Sequence, residues 1–235
     1  MRIFFAQKIV ISWKWWQVQT YIDPSALIDD WRVGSIPIRE SGELLIDLSS
    51  GDIIPVDLTR NHIQRLSQNP FLVRETVARR LEMAQAHLPN EYQLELKEGW
   101  RPVQVQAQLW QDTLRYVMAS MPSLQAAEIR TEAARFTAPP DESPPHSTGG
   151  AVDVVLLHNR APADVGWEFN RPGPGSASAY KVSAPARQNR IILCTALDSA
   201  GFINYPAEWW HWSYGDRYWA FQGSKSAAIY GTVQR

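Results

Sequence analysis

The stretch His146-Ser147-Thr148-Gly149-Gly150-Ala151-Val152-Asp153-Val154-Val155-Leu156-Leu157 decides how this chain is read. From Ala151 onward it is β-branched and apolar, which predicts a buried strand, and the loop before it carries a histidine on a tight glycine-containing turn. Upstream, Thr137 to Ser147 holds four prolines and reads as a loop, with a helix before it from near Ser123 to about Phe136. Pro102 opens another helix, with Val105, Leu109, Leu114 and Val117 on one face. Tyr92 to Glu98 alternates with period two and predicts a half-buried strand that runs into Gly99-Trp100-Arg101-Pro102. Arg101 therefore sits at a strand-to-helix junction, a place where side chains converge on sites. Further back, Asn69 as N-cap, Pro70 at the first helical position, and Val73, Val77, Leu81, Ala84 and Leu88 at helical spacing predict a helix that ends at Pro89.

Downstream of the buried strand, His158 to Pro185 is rich in Pro, Gly, Ser and Ala and reads either as a surface loop or as the rim of a site. Residues 186–200 regain helical spacing and Gly201 terminates them. Phe202 to Tyr205 and Trp210 to Tyr214 read as two strands joined by a turn at Pro206-Ala207. Strands and helices mix without βαβ alternation, so the expected fold class is α+β, a largely antiparallel sheet packed with helices. One domain over 1–235 is expected, with residues 1–68 as an N-terminal extension of strands and loops and 69–235 as the core. Turn chemistry at Tyr21-Ile22-Asp23-Pro24, Gly34-Ser35-Ile36-Pro37 and Ser49-Ser50-Gly51-Asp52 punctuates that extension.

Bulk properties narrow the chemistry. With 23 Lys+Arg against 24 Asp+Glu and a net charge of −1, nothing favours nucleic acid or an anionic membrane as partner, and a small neutral or zwitterionic substrate fits better. The single cysteine, Cys194, excludes an internal disulfide framework and a Cys-rich zinc site, so metal ligands would be His and carboxylate. Gln7 and Lys8 interrupt the apolar run that starts the chain, which reads as mature, cytoplasmic protein, and no stretch reaches the roughly 20 apolar residues of a membrane span. The 11 tryptophans are first of all packing units.

Of five histidines, His62 reads as surface, His87 as a favourable cation at a helix C-terminus and His158 as a loop residue at the end of the buried strand. The other two have different neighbours. Asp153, an ionised carboxylate among Ala151, Val152, Val154 and Val155, is costly to bury unless a metal or an arginine neutralises it. In Glu208-Trp209-Trp210-His211-Trp212 a carboxylate and an imidazole are embedded in tryptophans. They are three residues apart, so a straight strand would place them on opposite faces, and a turn or bulge before Trp209 must bring both to one site. His146, Asp153 and His211 make a three-ligand set suited to catalytic zinc with an open fourth position. Glu208 is then free to act as base and Arg101 to stabilise an oxyanion.

Gly99-Trp100-Arg101-Pro102, His146 to Asp153, and Glu208 to His211 together resemble the zinc D,D-peptidases, which include D-alanyl-D-alanine dipeptidases and share their fold with the Hedgehog signalling domain. Order and internal spacing match that family's Gly-aromatic-Arg-Pro, Ser-x-His-x-x-Gly-x-Ala-x-Asp and Glu-x-x-His segments. The resemblance implies one zinc ion on His146, Asp153 and His211, Glu208 as base, Arg101 at the transition state, and a small D-amino-acid dipeptide as substrate, contacted by Asn170, Ser147 and Trp210. Glu208 to Trp212 and Asp164 to Asn170 are similar to the dipeptidase branch. Two positions depart from the pattern: Pro144 stands where the family carries serine, and Asn170 where it carries an aspartate that helps bind the substrate's ammonium. An amide keeps a hydrogen bond but loses the charge, which relaxes the preference for an unblocked dipeptide. A D,D-carboxypeptidase or peptidoglycan endopeptidase, and a non-catalytic Hedgehog-like zinc module, are the alternative readings.

Overall fold

A computed structural model describes residues 26–57, 59, 66–141 and 143–234. The readings of the first 11 residues, of the turn at Tyr21 to Pro24 and of His62 lie outside them. The strand expected at Tyr92 to Glu98 is there as β3, and the decisive stretch forms β4 (Ala151–His158). β4 is the middle of a five-stranded antiparallel sheet in the order β3-β4-β7-β6, where β6 is Ile203–Asn204 and β7 is His211–Ser213, and the short β5 (Ala161–Pro162) pairs with the end of β4. The α+β class with an antiparallel sheet is therefore the observed one.

The sheet is hydrophobic along both sides of β4 because both are covered. Leu94, Leu96, Val154 and Leu156 are almost fully enclosed, each such side chain contributing about 1.5–3 kcal/mol relative to exposure. They share one core with Val77 and Leu81 of a helix at Glu75–Ala86 and with Leu193 and Leu197 of a helix at Ala184–Ser199, which Ser183 caps. In chain order the helices are α1 (Trp31–Gly34), α2 (Glu75–Ala86), α3 (Val103–Ser120), α4 (Ala126–Ala134), α5 (Ala184–Ser199) and α6 (Arg217–Gln222).

Three expectations shift. The helix expected from Asn69 starts only at Glu75, because Leu72–Arg74 forms a fully buried strand, β2, that pairs antiparallel with β1 (Leu45–Asp47). Strand pairing and the burial of Phe71, Leu72 and Val73 override the Asn-Pro start signal, a tertiary override of local propensity. On α3 the fully buried positions are Gln106, Leu109, Trp110 and Val117, so Val105 and Leu114 lie at the edge of the stripe. The connection from β6 to β7 holds a second turn after Pro206-Ala207, closed by the His211 N–H donating to the Glu208 carbonyl at 3.2 Å. Among the described residues no helix is long and apolar enough to cross a membrane.

Candidate metal centre

One row of side chains crosses the sheet. Asp153 on β4 stands opposite His211 on β7, and on its other side opposite Glu98 of β3. Directly opposed residues share a face, so three strands supply the row. A β-bulge between Leu96 and Glu98 makes Glu98, not Lys97, the partner of Asp153.

His146 reaches the same spot from the loop before β4. Pro145–Thr148 is a turn of 3-10 helix ended by Gly149 at φ 72°, a left-handed conformation that glycine adopts without strain. The ring is aimed from the Gly99 motif: its Nδ1–H donates to the Gly99 carbonyl at 2.8 Å, which leaves the Nε2 lone pair for a ligand. A Cβ at position 99 would lie 2.4 Å from the Leu72 carbonyl oxygen, so only glycine fits where this chain crosses β2. The Arg101 N–H in turn donates to the His146 carbonyl at 3.2 Å.

His146 Nε2 and His211 Nδ1 are 3.1 Å apart, His211 Nδ1 and Asp153 Oδ1 3.1 Å, and His146 Nε2 and Asp153 Oδ1 3.3 Å. Three corners of a tetrahedron with ligands about 2.0–2.1 Å from its centre are separated by roughly 3.3–3.4 Å, so this triangle has the size that zinc requires. All three residues are buried. The charges agree with the geometry: burial works to protonate Asp153, yet the His146 and His211 imidazoles hold its carboxyl far below the usual range. For His146, burial lowers the pKa but Asp153 more than offsets this and the net shift is upward, whereas burial leaves His211 below its ordinary value. Asp153, Glu98 and Glu208 all act on the one Arg101 guanidinium, so acidic groups outnumber it and a divalent cation would offset the excess.

The turn from Glu208 to His211 does what their spacing demanded and puts both on one cavity of about 320 Å³. Asn204 fixes that turn, its amide donating to the carbonyls of Glu208 at 3.1 Å and His211 at 3.0 Å while its oxygen accepts from the Ser178 hydroxyl at 2.5 Å. Burial first, then the charge of Asp153, pushes the Glu208 carboxyl well above its ordinary value, and Arg101 pulls it part of the way back. Arg101 is buried and held by a fork: Nε and Nη2 donate to the two oxygens of Glu98 at 2.7 and 2.6 Å, and Nη1 donates to Gln106 at 2.8 Å. One N–H remains on each terminal nitrogen. Burial opposes its charge, but Glu98, Asp153 and Glu208 more than compensate.

Asn170 and Trp210 also line the cavity, as does Pro144. Ser147 does not: it is fully enclosed and its hydroxyl finds no partner. His158 stacks on Tyr92 at the opposite end of β4, and His87 caps α2. The segment His158 to Pro185 forms a rim, because buried Arg190 of α5 donates to the carbonyls of Val165, Gly175, Ala177 and Ser178 and clamps it down. The far wall comes from Leu109 and Thr113 of α3 and Ala134 of α4. Glu98, Gln106 and Asn204 escaped the sequence reading. Gln106 alone left a sign, a polar residue on the buried stripe of a helix.

The sequence model of the peptidase M15 family described as D-ala-D-ala dipeptidase matches residues 57–227. A protein named D-alanyl-D-alanine dipeptidase from Synechocystis is 27% identical over 236 residues, covering 85% of this chain and 96% of that relative. One of the same name from Escherichia coli is 30% identical over 122 residues, 51% of this chain and 53% of the relative. Among solved structures the LdcB LD-carboxypeptidase is similar at 19% identity and a TM-score of 0.47, with 81% of this chain and 76% of that one covered.

Proposed function

The chain belongs to the D-ala-D-ala dipeptidase family of M15 peptidases, and from that premise we propose that it hydrolyses D-Ala-D-Ala or a similar dipeptide, in cell-wall turnover, at one zinc ion held by His146, Asp153 and His211. The reading rests on the triangle of ligand atoms 3.1–3.3 Å apart at the floor of a cavity that also holds an acid–base group and a cation. When bound, zinc supplies Lewis acidity, which makes water a competent nucleophile near neutral pH.

The remaining work falls to side chains. Glu208 takes the proton of the attacking water and passes it to the leaving amine, a role for which a carboxyl with a raised pKa is suited. The two N–H groups of Arg101 not engaged by Glu98 and Gln106 meet the oxyanion of the tetrahedral state, an effect of about 3–4 kcal/mol in comparable sites. Because Glu98 and Gln106 fix the guanidinium beforehand, little reorganisation accompanies the reaction. Asn170 offers the substrate a neutral hydrogen-bonding group, and Trp210 an aromatic wall.

The purified protein, zinc-loaded and chelator-treated, is assayed on D,D-, L,D- and L,L-dipeptides, an N-acylated D,D-dipeptide and a pentapeptide ending in D-Ala-D-Ala. Zinc-dependent release of D-alanine from the D,D-dipeptide is expected to lead the panel. A zinc-loaded protein that cleaves only the pentapeptide would make it a carboxypeptidase, and one that cleaves nothing would make it a binding module.

A further inference from the structure

Behind the ligand triangle lies a buried polar group that the chemistry above leaves unused. Asp216 is fully enclosed, and one of its oxygens accepts the Trp219 N–H at 2.8 Å as the N-cap of α6. Its other oxygen, Oδ2, meets no close partner, nor does Nε2 of His211, and both atoms are buried, while the Ser213 hydroxyl stands beside the Asp216 carboxylate. Ser213 follows His211 by two residues on β7, so both side chains emerge on one face of the strand. Ser213 also flanks Asp216, and Asp216 and His211 feel each other's charge. A ring nitrogen and a carboxylate oxygen without close partners, with a hydroxyl beside the carboxylate, are thus buried within reach of each other's charge.

Resting on the zinc reading above, we propose that Asp216, acting with Ser213, is the positioning residue that fixes His211 with its proton on Nε2, so that Nδ1 presents its lone pair to the metal. A neutral imidazole binds a metal through whichever nitrogen lacks the proton, and a carboxylate near the other nitrogen sets that tautomer and strengthens the ligand. His146 has its Nδ1–H assigned by the Gly99 carbonyl at 2.8 Å. The Nε2 of His211 has no such partner, and Asp216 is a buried carboxylate whose charge acts on that ring. A separation too long for a direct hydrogen bond is one that a hydroxyl or a single water spans.

The test exploits the cap. Asparagine caps a helix as well as aspartate does, so Asp216→Asn keeps the bond to Trp219 while removing the charge. Zinc affinity is measured by competition with a chromophoric chelator, beside the melting temperature of the metal-free protein and the visible ligand-field bands of the Co²⁺ form. Asp216→Asn is expected to weaken zinc binding by about 10–100-fold, the usual cost of losing such a partner, with altered Co²⁺ bands and little change in apo melting. Ser213→Ala should move affinity in the same direction by less. Asp216→Ser, which also caps, replaces the Asn variant if that fails to fold. Zinc affinity equal to wild type in a folded Asp216 variant overturns the role of Asp216, whatever happens to melting. A wild-type protein that takes up no zinc sinks both this inference and the metal reading beneath it.

Discussion

On one side of the cavity His146, Asp153 and His211 stand on backbones stitched together: paired strands, a 3-10 turn tied to Gly99, and a turn pinned by Asn204. On the other side α3 and α4 pack on a small core of their own, Trp110 and Val117 against Ala133 and Ala134. That cluster is separate from the main core around β4. The candidate centre thus rests on the main core and the opposite wall on a smaller cluster, which predicts that the helical wall opens more readily than the sheet. Changes on the sheet side should alter turnover or metal, and changes on the helical side should alter recognition.

The largest expected effect is on the sheet side. Glu208→Gln should lower kcat by about 10²–10⁴-fold with zinc content unchanged, measured by steady-state kinetics and elemental analysis. Full activity in that variant would remove the base from the mechanism. Arg101→Lys breaks the two-pronged contact with Glu98 while keeping a positive charge, and kcat should fall by about 10²–10³-fold, more than KM changes.

Trp110→Ala tests the other wall. It should raise KM about tenfold, equivalent to roughly 1.4 kcal/mol, and speed amide exchange in α3 and α4 without affecting zinc affinity. Equal loss of exchange protection in β4 would mean that the two walls unfold as one unit.

Two subtler experiments follow. Zinc must displace the proton of His146, whose pKa is raised above the ordinary 6.5. Apparent affinity should therefore begin to fall above pH 6.5 as pH is lowered, by about tenfold per unit once that proton dominates. For the metal-free fold the two groups act in opposite pH directions. The raised pKa of His146 gives stability that is complete below 6.5 and lost as pH rises through the folded value. The depressed pKa of Asp153 gives stability present above 3.8 that is lost only in strong acid, so the apo protein should melt highest between these limits. Least of all, Asn170→Asp should lower KM for an unblocked dipeptide a few-fold through an added surface-type charge contact of about 1 kcal/mol or less. The N-acylated dipeptide should not benefit.

What the sequence revealed and what it concealed divide along similar lines. β3 is legible residue by residue because Leu94, Leu96 and their neighbours alternate, and the meeting of His146, Asp153 and His211 is legible because an aspartate inside an apolar strand and a histidine among tryptophans violate their surroundings. The start of α2 is not, since the competing partner of Phe71 to Val73 lies about 25 residues away in β1. Ser147 turns away from the cavity, because adjacency to His146 along the chain says nothing about which way a side chain points on a 3-10 turn. Glu98, Asn204 and Asp216 acquire their importance through partners that only folding supplies, and Arg190 gives no hint in a helical pattern that it will secure four carbonyls of a loop.

The extra residue in β3 decides which side chain faces Asp153. A ladder without the irregularity would continue the pairing of Leu96 with Val154 and seat the ammonium of Lys97 against Asp153. Lys97 instead binds Asp57 and Glu95, away from the cavity. A straight ladder with Lys97 retained would thus change the neighbour of the central carboxylate from an acid to an amine, and leave an internal ion pair where the bulge leaves room for a cation.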